Sequence, residues 1–147
     1  MTEKQLQYQC VVWFGQQYPE LQDMLIEVNN NAMNIRHYSS RIGMGMTVGA
    51  SDLMLWHKGV LIAIELKTMG STHKNSHIKN QLEFGDQIID NYGYFFLLNT
   101  LSSFQFIVKL VFKNPTMLEF YQQKNREIIT RLLKKNEKTI KFNEKLL

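Results

Sequence analysis

The chain has 147 residues, 44% hydrophobic and 12% aromatic, with a net charge of +4 and a single cysteine, Cys10. That length fits one domain with room for an appended helix. The apolar content excludes disorder over most of the chain, and one cysteine excludes a disulfide framework or a Cys-rich zinc site. The expectation is a reduced, cytoplasmic protein. No apolar run has spanning length and no signal-peptide pattern opens the chain, which argues against membrane insertion and secretion. The charge is unevenly spread: from Lys124 on there are eight basic residues against three acidic ones, a net of +5, so the rest of the chain sums to −1. A basic C-terminal arm on a near-neutral body suits a polyanion partner. The plainer reading is a solvated helix kept soluble by lysines.

In chain order, Thr2 and Gln5 form a capping box, and Leu6, Cys10, Trp13, Phe14 and Gln17 mark a helical stripe ending before Pro19. Met24 to Val28 reads as a short strand, and 32–40 as a short helix or irregular crossing. The glycine-rich run Gly43–Gly49 lacks the Gly-Lys-Ser/Thr ending of a phosphate-cradling loop, so no nucleotide cofactor is expected. Asp52–Trp56 and Val60–Lys67, parted by His57-Lys58-Gly59, give the clearest hairpin signal. Ser76 is the expected cap of a helix running to Tyr92, with Gly93 as its left-handed stop. Tyr94–Leu98 reads as a buried strand. Ser102 or Ser103 is expected to cap a helix bearing Phe104, Ile107, Val108, Val111 and Phe112. A long helix should follow Asn114-Pro115, with Leu118, Tyr121, Ile128 and Leu132 on its apolar side. The order is that of a small α/β domain.

Folding the hairpin about Lys58-Gly59 pairs Trp56 with Leu61, Leu53 with Ile64, and Asp52 with Glu65. One face then carries Leu53, Leu55, Val60, Ile62, Ile64 and Leu66. The other carries Met54, Trp56, Leu61 and Ala63, with Asp52, Glu65 and Lys67 at one end. Both faces read as buried. Opposed carboxylates in a strand pair repel, and a hard divalent cation such as Mg²⁺ or Mn²⁺ would relieve this, taking carboxylate, carbonyl and water oxygens. Lys67 points to the same side, where it can orient a water or offset charge on a phosphate. The bland alternative is a Glu-x-Lys ion pair at a surface strand end.

Asp52 followed by Ile62-Ala63-Ile64-Glu65-Leu66-Lys67 resembles the PD-(D/E)XK nuclease signature. Gly45, Gly49-Ala50-Ser51-Asp52-Leu53, Glu65-Leu66-Lys67-Thr68, Gln81 and Gly93-Tyr94 together resemble its VRR-NUC branch over roughly the first 110 residues. An opening helix with Glu3, Gln5 and Gln7 is a further likeness. The chain departs from the pattern at Ser51, where the family has proline before the aspartate. The resemblance implies a restriction-endonuclease-like αβββαβ core, a central mixed sheet flanked by helices, over residues 1–114, followed by a basic helical extension over 115–147. It further implies DNA phosphodiester hydrolysis by a metal-activated water. Asp52 and Glu65 would ligate the metal, the Leu66 carbonyl would complete it, Lys67 would be the catalytic lysine, Gln81 would approach from the side, and Glu3 would be a further acidic ligand.

His73 and His77, four apart, could suggest zinc, but no third ligand stands nearby in sequence. Lys74, Lys79, Arg36, His37 and Arg41, and Lys134 and Lys135 of the arm, are candidate DNA-backbone contacts or plain surface residues. Tyr92 to Phe96 reads as core strand rather than base-stacking platform, and Cys10 as a small core residue. The leading expectation is a structure-specific endonuclease acting on branched DNA such as a Holliday junction, working as a homodimer. A chain this small has little surface for sequence readout and one site per copy. A compact nuclease without a fused helicase also fits a bacteriophage setting. The alternatives are a nucleic-acid-binding module that cuts nothing, and a nuclease on single-stranded DNA or RNA.

Overall fold

The computed structural model describes residues 1–28, 49–133 and 137–147. The capping box forms as expected: Gln5 N donates to Thr2 Oγ1 at 3.2 Å and Thr2 N to Gln5 Oε1 at 2.7 Å. It starts α1 (Glu3–Gln17), which buries Leu6, Cys10 and Phe14. A 3₁₀ segment at Pro19–Met24 leads into β1 (Leu25–Glu27). β2 (Leu53–His57) and β3 (Val60–Leu66) form the hairpin in the expected register, from Leu53 opposite Ile64 to His57 opposite Val60. Its turn is Lys58-Gly59, with φ of +48° and +81°, the two-residue turn with both residues at positive φ that matches strand twist.

β4 (Thr72–Lys74) precedes α2 (Asn75–Asp90), which crosses over to β5 (Tyr94–Leu98). α3 (Leu101–Lys113), a 3₁₀ turn at Pro115–Met117, α4 (Leu118–Leu132) and β6 (Thr139–Lys141) complete the order. The main sheet runs β1-β2-β3-β5, antiparallel except for the parallel β3–β5 pair, and β4 pairs antiparallel with β6 in a second sheet. The expected α/β architecture, a central mixed sheet flanked by helices, is the one observed.

Strand alternation divides the core in two. Leu53, Leu55, Ile62, Ile64, Leu66, Phe96 and Leu98 face α1 and α3. Ala63, Phe95 and Leu97 face α2, α4 and the chain's end, where Ile129, Ile140, Phe142 and Leu146 are buried. Among the described residues of the +5 stretch, Lys124, Arg131, Lys138, Lys141 and Lys145 are exposed while its apolar residues complete the second core, and its described part after α4 is a short strand and an irregular end rather than helix.

Four local expectations are corrected. Ser76 lies inside α2, which starts one residue earlier with Lys74 at its cap. Pairing of β4 with β6 holds 72–74 extended, and Asn75 ties the helix start to Glu137 and Lys138 through its side chain and its N–H. Gly93 is not the left-handed residue; Tyr92 is, at φ +66°. The end is a Schellman motif, Tyr92 N donating to Ile89 O and Gly93 N to Ile88 O. Gly93 is required for another reason: a Cβ there would sit 2.6 Å from Ile88 Cγ2 and 2.9 Å from Leu61 O. The cap of α3 is Thr100, which accepts from Ser103 N at 3.1 Å. Finally, the second hairpin face is not wholly buried, because Trp56 at the turn end is 46% exposed.

Candidate active site

The site lies where β3 leaves the sheet. Asp52 is one residue beyond the last β2–β3 pair, and Gly49, at φ +77°, brings the chain into it. A Cβ on Gly49 would lie 2.8 Å from Asn80 O of α2, so only glycine allows this close approach. The Asp52 carbonyl accepts from Val28 N at 2.9 Å. Its carboxylate accepts the Leu66 N–H through Oδ2 at 2.8 Å. A backbone bond thus aims the side chain at the corner.

Glu65 and Lys67 leave β3 on the same side by alternation, and both are buried. Lys67 Nζ donates to Glu65 Oε1 at 2.8 Å, and Gln81 Nε2, from α2, donates to the same oxygen at 2.6 Å. Glu65 Oε2 and Gln81 Oε1 are buried with no protein partner. From the first turn of α1, Glu3 Oε1 approaches to 3.8 Å of Lys67 Nζ and 3.3 Å of His73 Nε2. His73 lies in β4 and also touches Ser71 Oγ at 2.9 Å.

Electrostatics mark the corner as short of positive charge. Burial, then Asp52, pushes the Glu65 carboxyl up to about 8. Burial also raises Asp52, with the Leu66 N–H and Lys67 opposing it. Burial works against the Lys67 ammonium, but Glu65, Glu3 and Asp52 outweigh it and hold its pKa above the usual lysine value. His73 is lowered by burial, Lys67 and His77, which disfavours its charged form. Glu3, Asp52 and Glu65 against Lys67 leave a formal −2, the charge one divalent cation cancels. Among the described residues no three His, Cys, Asp or Glu side chains converge closely enough to hold an ion by themselves. The donors available to a hard cation are therefore the Asp52 and Glu65 carboxylates, with backbone carbonyl and water for the rest. A cleft of about 540 Å³ opens beside Asp52, lined also by Glu3, Lys4, Tyr8 and Glu27.

The structure thus brings together Asp52, Glu65, Lys67, Gln81 and Glu3, with the Leu66 backbone between the strands. Lys74 and Lys79 are exposed on β4 and α2. Arg36, His37, Arg41, Lys134 and Lys135 lie outside the described residues, as do the crossing at 32–40 and most of the glycine-rich run. Sequence spacing misses the coupling of His73 to Glu3. The only local signal is its place two residues after Ser71, and the rest depends on β4–β6 pairing. Among the described residues no helix is long and apolar enough to cross a membrane.

No family model and no curated protein matches the sequence. Among solved structures, one described as a "VRR_NUC domain protein" is similar, with a TM-score of 0.57 and 17% identity over 69% of this chain and 80% of that one. The chain shares its fold with that protein.

Proposed function

We propose that the protein is a Mg²⁺- or Mn²⁺-dependent nuclease that hydrolyses DNA phosphodiesters, with the cation held by Asp52 and Glu65 beside Lys67. The observation that carries this reading is the excess of carboxylate over ammonium at one corner, where among the described residues buried Glu65 and half-buried Asp52 and Glu3 meet the single ammonium of Lys67. A structural Glu65–Lys67 pair is neutral by itself. Asp52 adds to the burial that raises Glu65, and is itself raised by burial, an opposition that a cation would relieve. The fold shared with a VRR_NUC domain protein supports the same reading.

Such a cation, when bound, supplies Lewis-acid polarisation of a phosphate oxygen and a more acidic water. The Leu66 N–H holds Asp52 in place, while Gln81 and Lys67 fix one oxygen of Glu65 and leave the other free. Lys67, anchored on Glu65, keeps its ammonium at the corner where negative charge develops on the phosphate. In this reading the enzyme selects DNA by shape rather than by base sequence. Paired cuts in a four-way junction then require two copies of the chain.

The test is a cleavage assay on linear duplex, single-stranded, flap and four-way-junction DNA, with Mg²⁺, Mn²⁺ or EDTA. Cutting of the branched substrates is expected, dependent on the cation and lost in D52N. No cutting of any substrate, with junction binding retained, would make the protein a binding module instead.

A further inference from the structure

His73 belongs to β4, outside the hairpin that carries the carboxylates, yet its Nε2 lies 2.9 Å from Ser71 Oγ and 3.3 Å from Glu3 Oε1. Ser71 has one hydroxyl hydrogen, and it is donated to the Thr68 carbonyl at 2.6 Å. The Ser71–His73 bond therefore needs the proton on Nε2. The edge that His73 turns toward Glu3, 3.3 Å away, is therefore a polarised N–H already bonded to Ser71, not a lone pair. The ring is held from behind by Phe142, with centroids 5.7 Å apart, and its backbone by pairing with Ile140 of β6. Glu3 has no comparable support from α1, where its side chain is 40% exposed.

We propose that His73 is a positioning residue for the cation site: its N–H edge, bonded to Ser71 Oγ and 3.3 Å from Glu3 Oε1, attracts the Glu3 carboxylate to its place beside Lys67, on the cleft that Asp52 also lines, so that the α1 carboxylate reinforces the cation through water. The inference rests on the function proposed above only in taking a cation to bind there. Residues that orient ligands in this way are typically worth about 10- to 100-fold in metal affinity.

Mn²⁺ binding, followed by electron paramagnetic resonance on the full chain, tests it without any cleavage assay. H73F keeps a ring against Phe142 and removes the N–H, and should weaken Mn²⁺ binding about 10-fold or more. H73Q restores a donor and should recover most of that loss. E3Q should match H73F, and the double variant should be no weaker than either alone, a coupling that a packing defect in β4 does not produce. Equal Mn²⁺ affinity in wild type and H73F overturns the role of His73. E3Q alters a partly exposed side chain and keeps the test open whatever H73F does to folding; unchanged affinity in E3Q overturns the proposal as well. A wild-type protein that binds no Mn²⁺ overturns the proposed function itself, which is a different result.

Discussion

Glu65 is the residue at which burial and charge are most opposed. Its carboxyl is pushed up to about 8 from an ordinary 4.5, so the folded chain keeps a proton that the unfolded chain releases. Without a cation, that contribution to stability is complete below about 4.5 and is lost as pH rises towards 8. Each tenfold change in proton affinity is worth about 1.4 kcal/mol, or about 3 °C in Tm for a domain of this size. Thermal melts in EDTA from pH 5 to 8 should therefore show wild type losing several degrees more than E65Q. Parallel curves would mean that Glu65 titrates normally. Lys67 calls for a different comparison. K67M should lower the cleavage rate by at least about 100-fold, in line with the loss of a preorganised electrostatic group. The same change should leave Mn²⁺ binding as tight as in wild type or tighter, because an ammonium next to a divalent cation repels it. Joint loss of both would make Lys67 a scaffold residue. Cys10 is the opposite kind of buried group: wholly covered on α1, its thiol is pushed up to about 12 by burial. Iodoacetamide at pH 8 should leave it unmodified in native protein and label it in urea, since only the thiolate reacts.

At the scale of elements, β5 shows how a sheet edge is closed without another strand. Asn125 of α4 accepts from Leu97 N at 3.1 Å and donates to Leu97 O at 2.9 Å, and its amide also donates to Leu146 O at 2.8 Å. One turn earlier, Gln122 accepts from Phe95 N at 2.8 Å. Two amide side chains on one helix face thus take the place of a neighbouring strand and tie down the chain's end. N125A would strand three buried backbone groups and should cost about 3 kcal/mol or more. Urea unfolding measures it, and a cost below about 1 kcal/mol would show that water replaces the amide. Apolar patterning made Leu118, Tyr121, Ile128 and Leu132 visible on this helix but gave no reason to bury Asn125. A polar residue enters a core only where its partners are already waiting, and those partners belong to β5 and residue 146. The hairpin was legible for the opposite reason: its alternation and its Lys-Gly turn are local, and a one-residue slip would turn every apolar side chain to the wrong face.

For the whole molecule, the basic C-terminal stretch is both charge and core. Lys138, Lys141 and Lys145 are exposed, whereas Ile140, Phe142 and Leu146, which alternate with them, are buried. Truncating the stretch would uncover Phe95 and Leu97, so deletion cannot separate DNA binding from folding. Neutralising surface charge can. Lys74 and Lys141 lie on the paired β4 and β6 strands, on the face opposite His73 and Ile140, with exposed Lys138 just before β6. The variant K74Q/K138Q/K141Q should keep the wild-type Tm and reduce the slope of log K against log salt for DNA binding by about 1 for each phosphate no longer neutralised. An unchanged slope would place the DNA elsewhere.

Features that depend on near neighbours were legible from the residues alone: the capping box, the strand alternation, the hairpin register, and the meeting of Asp52, Glu65 and Lys67 at one strand end. The choice of Thr100 over Ser102 or Ser103 as a cap was left to the tertiary structure, because several adjacent residues could serve equally well. So was the left-handed residue after α2, where Gly93 is needed for close packing against Leu61 and Ile88 while exposed Tyr92 takes the positive φ. Glu3 and Gln81 were expected beside the hairpin from the family resemblance, not from their own spacing, and the approach of His73 was decided only in three dimensions. These three come from α1, α2 and β4, and nothing in their local sequence encodes which far part of the chain will face them.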